Sequence, residues 1–473
     1  MPAPARVAAF QALRAIANGR ADLPAALAAS RDPLQDERDR ALAGDIVTGT
    51  LRWRRAADHL IVHFAGRPAD RIDPDVLEIL RLSVYQLLHL DRVPASAVVD
   101  DAVDLTRLAR KSHASGFVNA VLRSLLRERH RLPLPPRPDS GADRAAALDY
   151  LGITHSHPEW LVSRWLDRCG FEAAERWVRF NNGVPALTLR ANTLKTDRDA
   201  LAAALRADGI DTDPTAFAPD GLIVSSGNPM RLTKDGSFFV QDEASQLVAL
   251  TMDARPGERI LDLCASPGGK TVTLAGAMQD TGMVVASDIR ARRMKLLRAT
   301  VAASGARSIR VVHIPSSGPL PFRPVFDRIL IDAPCSGLGT IRRDPDIRWR
   351  RREGDLAGLA SHQIALLHRA ADLVRSGGRL VYSTCSSEPE ENEAVVDAFL
   401  AARNDFALLD LRTPEPGTLA PGTLAPGTRT LAPPHPRTLA PFLDSHGMFR
   451  TLPFAHGLEA FFAAAIVRGT IPT

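Results

Sequence analysis

The first 130 residues carry apolar side chains at the spacing of an α-helix. Segments such as VAAFQALRAIANG and DVLEILRLSVYQLLHL repeat apolar positions three and four residues apart, a pattern that predicts amphipathic helices packed on a shared core. The proline-rich stretch 131–144, RLPLPPRPDSGADR, cannot continue a helix and is interpreted as a linker. These features predict an all-α domain over residues 1–135.

The pattern changes after the linker. ALTLRANTLKT alternates like a strand, DRDALAAALRADG has helical spacing, and GLIVSSG is again strand-like. These segments predict a small α+β subdomain over residues 145–235.

From residue 236 to residue 473, predicted strands and helices alternate. The strands ERILDLCAS, MVVASD, IRVVHI, DRILIDAP and GRLVYSTC are separated by segments with helical spacing, which is typical of a parallel, doubly wound α/β sheet. A ligand of such a sheet is expected beyond the carboxyl ends of the strands. FALLDL and LEAFFAAAIVRG predict an antiparallel edge, and the P-G-T-L-A repeats at 412–441 predict a flexible insertion.

Composition narrows the classes of protein that fit these elements. The 473-residue chain is 45% hydrophobic and 24% charged, and no apolar run approaches the roughly 18 residues of a membrane span, so we expect a soluble protein. The four cysteines lie far apart without a C-x-x-C pair, which argues against a disulfide framework or a zinc site and fits a reducing cytoplasm. The net charge of +5 fits a polyanionic partner, although it is weak evidence on its own.

A glycine-rich turn, LDLCASPGGKT at 261–271, follows the first strand of the predicted parallel sheet. Such a turn offers backbone amides and a helix N-terminus to a polar ligand. It matches a phosphate-binding loop except at the first glycine, and it also fits S-adenosylmethionine, whose ribose Asp288 would bind from the next strand end. A purely structural turn is the third interpretation. The nucleoside cofactor is favoured because a phosphate loop leaves two cysteine-containing strand ends without a role.

Cys335 and Cys385, in DAPCSG and YSTCSS, follow two strands that are neighbours in the predicted sheet. Both thiols are therefore expected in the crevice that the glycine turn also faces. Methylation of carbon 5 of a pyrimidine needs a thiolate that first adds to carbon 6, and a second group can assist the elimination. From the residues alone, either cysteine is a candidate nucleophile, and small buried side chains are the alternative for both.

Two further features accompany the cysteines. Asp332 is placed to hold the pyrimidine or to lie near the positive sulfur of the cofactor, with a helix cap as the alternative. Six arginines surround Trp349 within residues 342–352. That density suits phosphate contacts and base stacking, and a solvated loop is the alternative explanation.

Together these motifs resemble the RsmB family of bacterial small-subunit rRNA cytosine-5 methyltransferases, within the NOL/NOP/Sun group. The matching stretches are CASPGGKT, DAPCSGLGTIRRDPDIRW, YSTCSSEPEENE, FFVQDEASQ, RANTLKT and FVNAVLR, which span nearly the whole chain. The resemblance implies a NusB-like N-terminal domain that helps to grip RNA, and a Rossmann-like methyltransferase core.

The resemblance also implies roles for individual residues. Cys385 matches the covalent nucleophile, and Cys335 matches the cysteine associated with product release. Asp332 would contact the cofactor and the target base, and Asp288 the ribose. S-adenosylmethionine would lie on the loop of Cys264, Ala265, Ser266, Pro267, Gly268, Gly269 and Lys270. RNA contacts are assigned to Arg190, Lys195, Arg342, Arg343, Arg348 and Trp349, and no metal site is predicted.

Two positions depart from the family pattern. Pro315 stands about where the family usually has an acid on the adenine side of the cofactor. Cofactor affinity is therefore expected to fall unless another residue substitutes. Residues 456–460, HGLEA, replace the usual glycine-aspartate pattern near the C-terminus, and only a local effect is expected.

The sequence thus predicts a monomeric cytoplasmic enzyme that methylates carbon 5 of a cytidine in 16S rRNA. A transfer RNA cytosine methyltransferase is the alternative within the same chemistry. An RNA-associated P-loop NTPase and a catalytically idle RNA-binding or assembly factor are the alternatives from other classes. Comparing the equilibrium binding of S-adenosylmethionine with that of ATP distinguishes the methyltransferase from the NTPase. Methylation activity of the purified protein would exclude the catalytically idle factor.

Overall fold

The computed structural model describes residues 2–139, 143–413 and 436–469. The chain forms two compact units, Met1–Val184 with Ile341–Glu353, and Pro185–Thr340 with Gly354–Thr473. This division differs from the predicted domains, because residues 145–184 and the arginine-rich segment belong to the helical unit. The predicted insertion at 412–441 lies outside the described residues, except at 412–413 and 436–441.

Helices build the first unit. Helix α5 shows how the sequence dictates them: the Asp73 carboxylate accepts hydrogen bonds from the first-turn amides of Asp75 and Val76, and Pro74 occupies the first helical position. All residues from Val76 to Leu87 are buried, so α5 lies in the middle of the core. In chain order the helices are α1 (Pro4–Ala17), α2 (Leu23–Arg31), α3 (Glu37–Arg52), α4 (Arg54–Ala65), α5 (Pro74–His89), α6 (Ala95–Leu108), α7 (Ser115–Arg127), α8 (Arg144–Asp149), α9 (Glu159–Cys169) and α10 (Phe171–Asn182).

The second unit begins with a small antiparallel sheet. Its elements are β1 (Thr188–Ala191), α11 (Arg198–Ala207), β2 (Thr212–Pro214), β3 (Gly221–Val224) and β4 (Phe238–Val240). The strand order is β2-β3-β1-β4 with antiparallel pairing throughout. The predicted α+β subdomain is therefore confirmed as a fold, with Leu189, Leu205 and Phe238 in its core.

The large sheet of the second unit has the order β10-β12-β9-β8-β5-β6-β7, and β11 pairs with β12. The five strands from β9 to β7 are parallel, and β12 and β10 extend the sheet in antiparallel pairing. Both features confirm the predicted fold class. The elements are α12 (Glu243–Leu250), β5 (Arg259–Asp262), α13 (Gly269–Ala277), β6 (Met283–Asp288), α14 (Ala291–Ser304), β7 (Ile309–His313), β8 (Phe326–Asp332), α15 (Ile347–Arg350), α16 (Asp355–Ala371), β9 (Val374–Thr384), α17 (Glu393–Ala402), β10 (Phe406–Leu409), α18 (Pro436–Leu439), β11 (Phe449–Arg450), α19 (Pro453–His456) and β12 (Phe462–Arg468).

Both faces of the large sheet are covered by helices. Successive side chains of a strand point to opposite faces, and in β9 Val381 joins the core beneath α12, α13 and α14, whereas Leu380 and Tyr382 join the core beneath α16 and α17. This two-sided burial explains why the strands read as nearly continuous apolar runs.

The parallel pairing brings the polar strand ends to one edge. Asp262 ends β5 opposite Ala286 of β6, and Asp332 ends β8 opposite Ser383 of β9. The candidate residues therefore converge at the carboxyl edge, as predicted for a doubly wound sheet. Among the described residues, no helix combines the length and the apolarity needed to cross a bilayer.

Candidate active site

The glycine turn connects β5 to α13 at the carboxyl edge. Its base is fixed by a hydrogen bond from the Ala265 amide to Ser287 O (2.9 Å) and by another from Thr271 Oγ1 to Asp262 Oδ2 (2.7 Å). Gly268 has a φ of +107°, a backbone conformation that favours glycine. Within the described residues no side chain caps the first turn of α13, so its amides are available to a polar ligand.

Asp288 is the last residue of β6 and lies beside this turn. Its side chain is buried, and Oδ1 accepts a hydrogen bond from Arg290 N (2.9 Å). Uncapped amides and a neighbouring carboxylate match the polar groups of S-adenosylmethionine, because the amides suit its carboxylate and Asp288 suits its ribose hydroxyls. The residues present therefore fit the predicted cofactor.

Lys270, in the first turn of α13, forms an ion pair with Asp332. Its Nζ lies 2.7 Å from Asp332 Oδ2 and donates to Ser245 Oγ (3.0 Å). Ser383 Oγ donates to the other carboxylate oxygen of Asp332 (3.1 Å). Burial by itself lowers the pKa of the amine, but the Asp332 carboxylate outweighs this effect, and the pKa of Lys270 is raised. The site thus holds a fixed positive charge.

The two predicted cysteines meet at this edge, with Cys335 Sγ and Cys385 Sγ 3.4 Å apart. The pKa of Cys335 is raised well above its ordinary value, first by the hydrogen bond to Cys385, then by burial and by the charges of Cys385 and Glu391. The negative charge of Cys385 in turn helps to raise the pKa of Lys270. Cys335 is therefore the thiol that keeps its proton and donates it, and Cys385 is the sulfur that faces a cation.

A buried carboxylate and a buried amide fix the segment around Cys335. Glu391 Oε1 accepts hydrogen bonds from Ser336 N (2.8 Å) and from Gln363 Nε2 (3.0 Å). Gln363 Nε2 also donates to Pro334 O (3.0 Å). The backbone on both sides of Cys335 is thus held by one pair of side chains, which we call the Gln363–Glu391 clamp.

Cys385 is held at its own carbonyl and at the residue that follows it. Ser386 Oγ donates to Glu391 Oε2 (2.5 Å), and the amide of Gly339 donates to Cys385 O (2.9 Å). A Cβ on Gly339 would collide with Ala460 O, so this close approach requires glycine. The clamp and the DAPCSGLGT motif therefore position both sulfurs from outside.

The remaining cysteines have no such setting. Burial raises the pKa of Cys264, and the charges of the nearby carboxylates raise it further. Burial also raises the pKa of Cys169, whose Sγ donates to Trp165 O (2.9 Å). Burial thus favours the protonated form of both thiols.

Two of the residues predicted to bind RNA are buried, and the prediction is wrong for both. Arg348 is 0% exposed and donates to Ser156 O (2.9 Å). Arg190 is 1% exposed and donates to Gln241 Oε1 (2.7 Å) and Gly269 O (3.2 Å). Because these guanidinium groups serve protein acceptors away from solvent, neither can reach an RNA phosphate.

Three other predicted RNA contacts are engaged within the protein, although they are less buried. Each donates to a backbone carbonyl: Lys195 Nζ to Asp235 O (2.6 Å) and Ala303 O (2.8 Å), Trp349 Nε1 to Leu51 O (2.6 Å), and Arg342 Nη2 to Val184 O (2.8 Å). For Lys195, Arg342, Arg343 and Trp349, RNA contact stays a prediction.

The loop that contains Pro315 follows β7 and is pinned by Arg369 of α16. The Arg369 guanidinium donates to Pro315 O (3.2 Å), Ser316 O (3.4 Å) and Gly318 O (3.0 Å). The loop beside Asp288 is thus fixed by its backbone. The expected effect of Pro315 on cofactor affinity stays a prediction.

Sequence reasoning missed the residues that position the cysteines. Glu391 lies inside the quoted stretch YSTCSSEPEENE, so a role for it was within reach of motif reading. Gln363 had one signal, which is that a polar residue shares the buried face of α16 with Leu356 and Leu367. Ser245 follows FFVQDEA without a distinguishing pattern.

The parallel sheet, the glycine turn with free first-turn amides and the acid at the next strand end define a Rossmann-like methyltransferase that uses S-adenosylmethionine. Sequence models of three families match the chain. The model described as 16S rRNA methyltransferase RsmB/F matches residues 249–467, that of the NusB family matches 3–127, and that of the ferredoxin-like domain of RsmF/B-like methyltransferases matches 157–231.

Individual relatives agree with these matches. "Probable ribosomal RNA small subunit methyltransferase B" of Bacillus subtilis is 36% identical over 389 residues, which cover 80% of this chain and 84% of the relative. "Ribosomal RNA small subunit methyltransferase B" of Pseudomonas putida is 36% identical over 413 residues, which cover 86% and 91%. The crystal structure of PH0851 superposes with a TM-score of 0.76 at 26% identity and covers 98% of this chain and 99% of its own. The chain belongs to the RsmB/F methyltransferase family, which overturns the P-loop NTPase alternative.

Proposed function

We propose that this methyltransferase modifies carbon 5 of a cytidine in 16S rRNA through a covalent bond between Cys385 and the base. The observation that carries the proposal is the pair of sulfurs 3.4 Å apart, with a protonated Cys335 as donor and the Lys270–Asp332 ion pair beside Cys385. The names of the relatives support the ribosomal RNA substrate.

The proposed reaction begins at Cys385. Its thiolate adds to carbon 6 of cytosine, and the displaced electron pair makes carbon 5 nucleophilic. The Lys270 ammonium and the hydrogen bond from Cys335 are both placed to stabilise negative charge on this sulfur during the reaction. The Asp332 carboxylate accepts a hydrogen bond from the exocyclic amine of the base. S-adenosylmethionine, when bound on the glycine turn, supplies the methyl group that carbon 5 takes.

The second half of the reaction restores the ring. A base removes the proton from carbon 5, the bond between Cys385 and carbon 6 breaks, and the electron pair of that bond returns to the sulfur. Cys335 lies within hydrogen-bond distance of that sulfur, so its thiol proton stabilises the departing thiolate. Cys335 therefore acts in release and not in attack.

The transfer RNA alternative uses the same chemistry and the same residues. The NusB-like domain and the relatives' names favour ribosomal RNA. We also propose that the enzyme acts in the cytoplasm as a monomer.

Alanine variants of the two cysteines test the covalent route. Cys385→Ala should abolish methylation and form no covalent complex, because the attacking thiolate is gone. Cys335→Ala should attack but release slowly, so that protein remains attached to a 16S rRNA transcript on a denaturing gel. An adduct formed by Cys385→Ala, and none by Cys335→Ala, would reverse the assignment.

A further inference from the structure

We propose that the exposed basic side of α14 binds the phosphate backbone of the RNA next to the cofactor loop. We call this surface the α14 basic face. It consists of Arg290, Arg292, Arg293, Lys295 and Arg298. The inference rests on the proposed RNA substrate and adds the surface that receives it.

The α14 basic face carries positive charge that the protein leaves uncompensated. Its five cations fall within nine residues, all of them are exposed, and residues 289–304 contain no acidic side chain. Among the described residues none of these five side chains has an ion pair or a hydrogen bond. Some other exposed arginines of the same unit do have acid partners, for example Arg375 with Asp327 (2.5 Å).

Such a face is unfavourable in the free protein. Arg292 and Lys295, and again Lys295 and Arg298, are three residues apart on one helix, and like charges at this spacing destabilise a helix by about 0.2–0.5 kcal/mol per pair. A polyanion removes this repulsion and releases its own counterions on binding. The exposed face includes only one large apolar side chain within the helix, Leu296, so it suits a phosphate backbone better than a lipid surface.

The helix is held firmly from below and at its end. Met294 and Leu297 are buried in the core that α12, α13 and α14 cover on one face of the large sheet. At the C-terminus, Asn192 Nδ2 donates to Ser304 O (2.9 Å) and Lys195 Nζ donates to Ala303 O (2.8 Å), which satisfies two carbonyls that the helix cannot pair itself. The RANTLKT stretch thus acts as a C-cap for α14 and keeps its cations in a fixed array.

The face also borders the reaction site. Arg290 follows Asp288 by two residues, and Ser266 Oγ of the cofactor loop donates to Arg293 O (3.1 Å). The charge of Arg293 partly offsets the rise in the pKa of Cys264 that burial causes. An RNA strand bound to these cations would therefore run along the edge at which the target base must enter.

The test compares two double variants with the same change of charge and residue type. Arg292→Gln/Arg298→Gln removes two cations of the face. Arg259→Gln/Arg323→Gln removes two exposed arginines at the opposite edge of the parallel sheet, where Arg259 begins β5 and Arg323 precedes β8. Among the described residues, no ion pair involves either side chain. Binding to a protein-free 16S rRNA transcript is measured over a series of salt concentrations, and binding of S-adenosylmethionine is measured separately.

Each lost phosphate contact should reduce the slope of log K against log salt by about 0.7–0.9. For Arg292→Gln/Arg298→Gln this predicts a slope reduced by roughly 1.4–1.8, equivalent to roughly 25- to 60-fold weaker RNA binding at about 0.1 M salt if affinities converge near 1 M. Cofactor affinity and kcat should stay unchanged while KM for RNA rises. The control pair should leave the slope within error of wild type.

Equal slopes for the two double variants would overturn the inference. It would also be overturned if Arg292→Gln/Arg298→Gln weakened cofactor binding as much as RNA binding, because the face would then belong to the cofactor site. The proposed function is tested separately from these results. If no cytidine of 16S rRNA is methylated, the RNA slope of the two variants still decides whether the α14 basic face binds RNA.

Discussion

Replacing Gln363 by leucine should separate the two halves of the reaction. Gln363 is buried, and its Nε2 bridges Pro334 O and Glu391 Oε1, both at 3.0 Å. Leucine has a similar volume but no donor, so both acceptors lose a hydrogen bond while packing is retained. The backbone around Cys335 is then less fixed, whereas the environment of Cys385 keeps its cation.

The expected size follows from these two hydrogen bonds. A bond to a buried carboxylate contributes about 1.5–3 kcal/mol and a neutral one about 1 kcal/mol, so the free energy of unfolding should fall by about 2.5–4 kcal/mol. A misplacement of about 1 Å can slow a catalysed step by about 100-fold. Both hydrogen bonds of Gln363 support the segment of Cys335, whereas Ser386 beside Cys385 keeps its own bond to Glu391 Oε2 in the variant. Release should therefore slow far more than attack.

The assay follows the protein–RNA adduct over time on a denaturing gel, with product formation measured in the same samples. Gln363→Leu should accumulate the adduct that Cys335→Ala also accumulates. His362→Leu, an exposed neighbour on α16, serves as the control, and thermal unfolding establishes that both variants are folded at the assay temperature. A variant whose adduct level equals that of wild type, whether its turnover falls or not, would refute a role of the clamp in release.

Three other perturbations test separate parts of the account. Burial raises the pKa of Asp262 to about 7, so the folded state binds a proton that the unfolded state releases, and the free energy of unfolding should fall by up to about 4 kcal/mol as pH rises from about 4 to about 7. In urea unfolding, Asp262→Asn should flatten this pH dependence, and an unchanged dependence would contradict the assignment. Lys270→Met removes the cation beside Cys385 and should slow adduct formation about 10²–10³-fold in single-turnover experiments, whereas adduct formation at the wild-type rate would show that this charge does not assist the attack. Arg348→Met should lower the free energy of unfolding by about 1–3 kcal/mol, because a buried carbonyl loses its donor, and should leave the salt dependence of RNA binding unchanged; a reduced slope would restore Arg348 to the RNA surface.

The strands and the edge at which they end could be predicted from local pattern. MVVASD predicts a buried strand that ends in an acid, and β6 spans Met283–Asp288. FALLDL and LEAFFAAAIVRG predict antiparallel neighbours, and β10 pairs with β12. Patterns of this kind succeed because a strand covered on both faces must be apolar along its length.

The residues that fix the site could not be predicted in the same way. Arg348 lies in a segment rich in arginine, yet its acceptor Ser156 O is 192 residues away, and no local pattern reveals that contact. Gln363 gains its role only because α16 packs over the loop of Pro334 and beside Glu391. The exposed cations of α14 are visible in sequence, but only the fold shows that no described residue pairs with them.

The proposed division of labour between Cys335 and Cys385 shows the same limit. Strand order predicts that both thiols share one crevice, and the structure brings the two sulfurs to 3.4 Å. Spacing alone does not say which one attacks. On the side of Cys335, the hydrogen bond to Cys385, burial and the charge of Glu391 raise the pKa of the thiol, and on the side of Cys385 the structure places Lys270.

Base-resolution mapping of 5-methylcytosine tests the central claim most directly. Ribosomal and transfer RNA are compared from cells with the gene, without it, and with the Cys385→Ala variant in its place. The account predicts one cytidine of 16S rRNA that is methylated only with the wild-type gene, and unchanged transfer RNA. Loss of a transfer RNA site instead, or methylation that persists with Cys385→Ala, would contradict it.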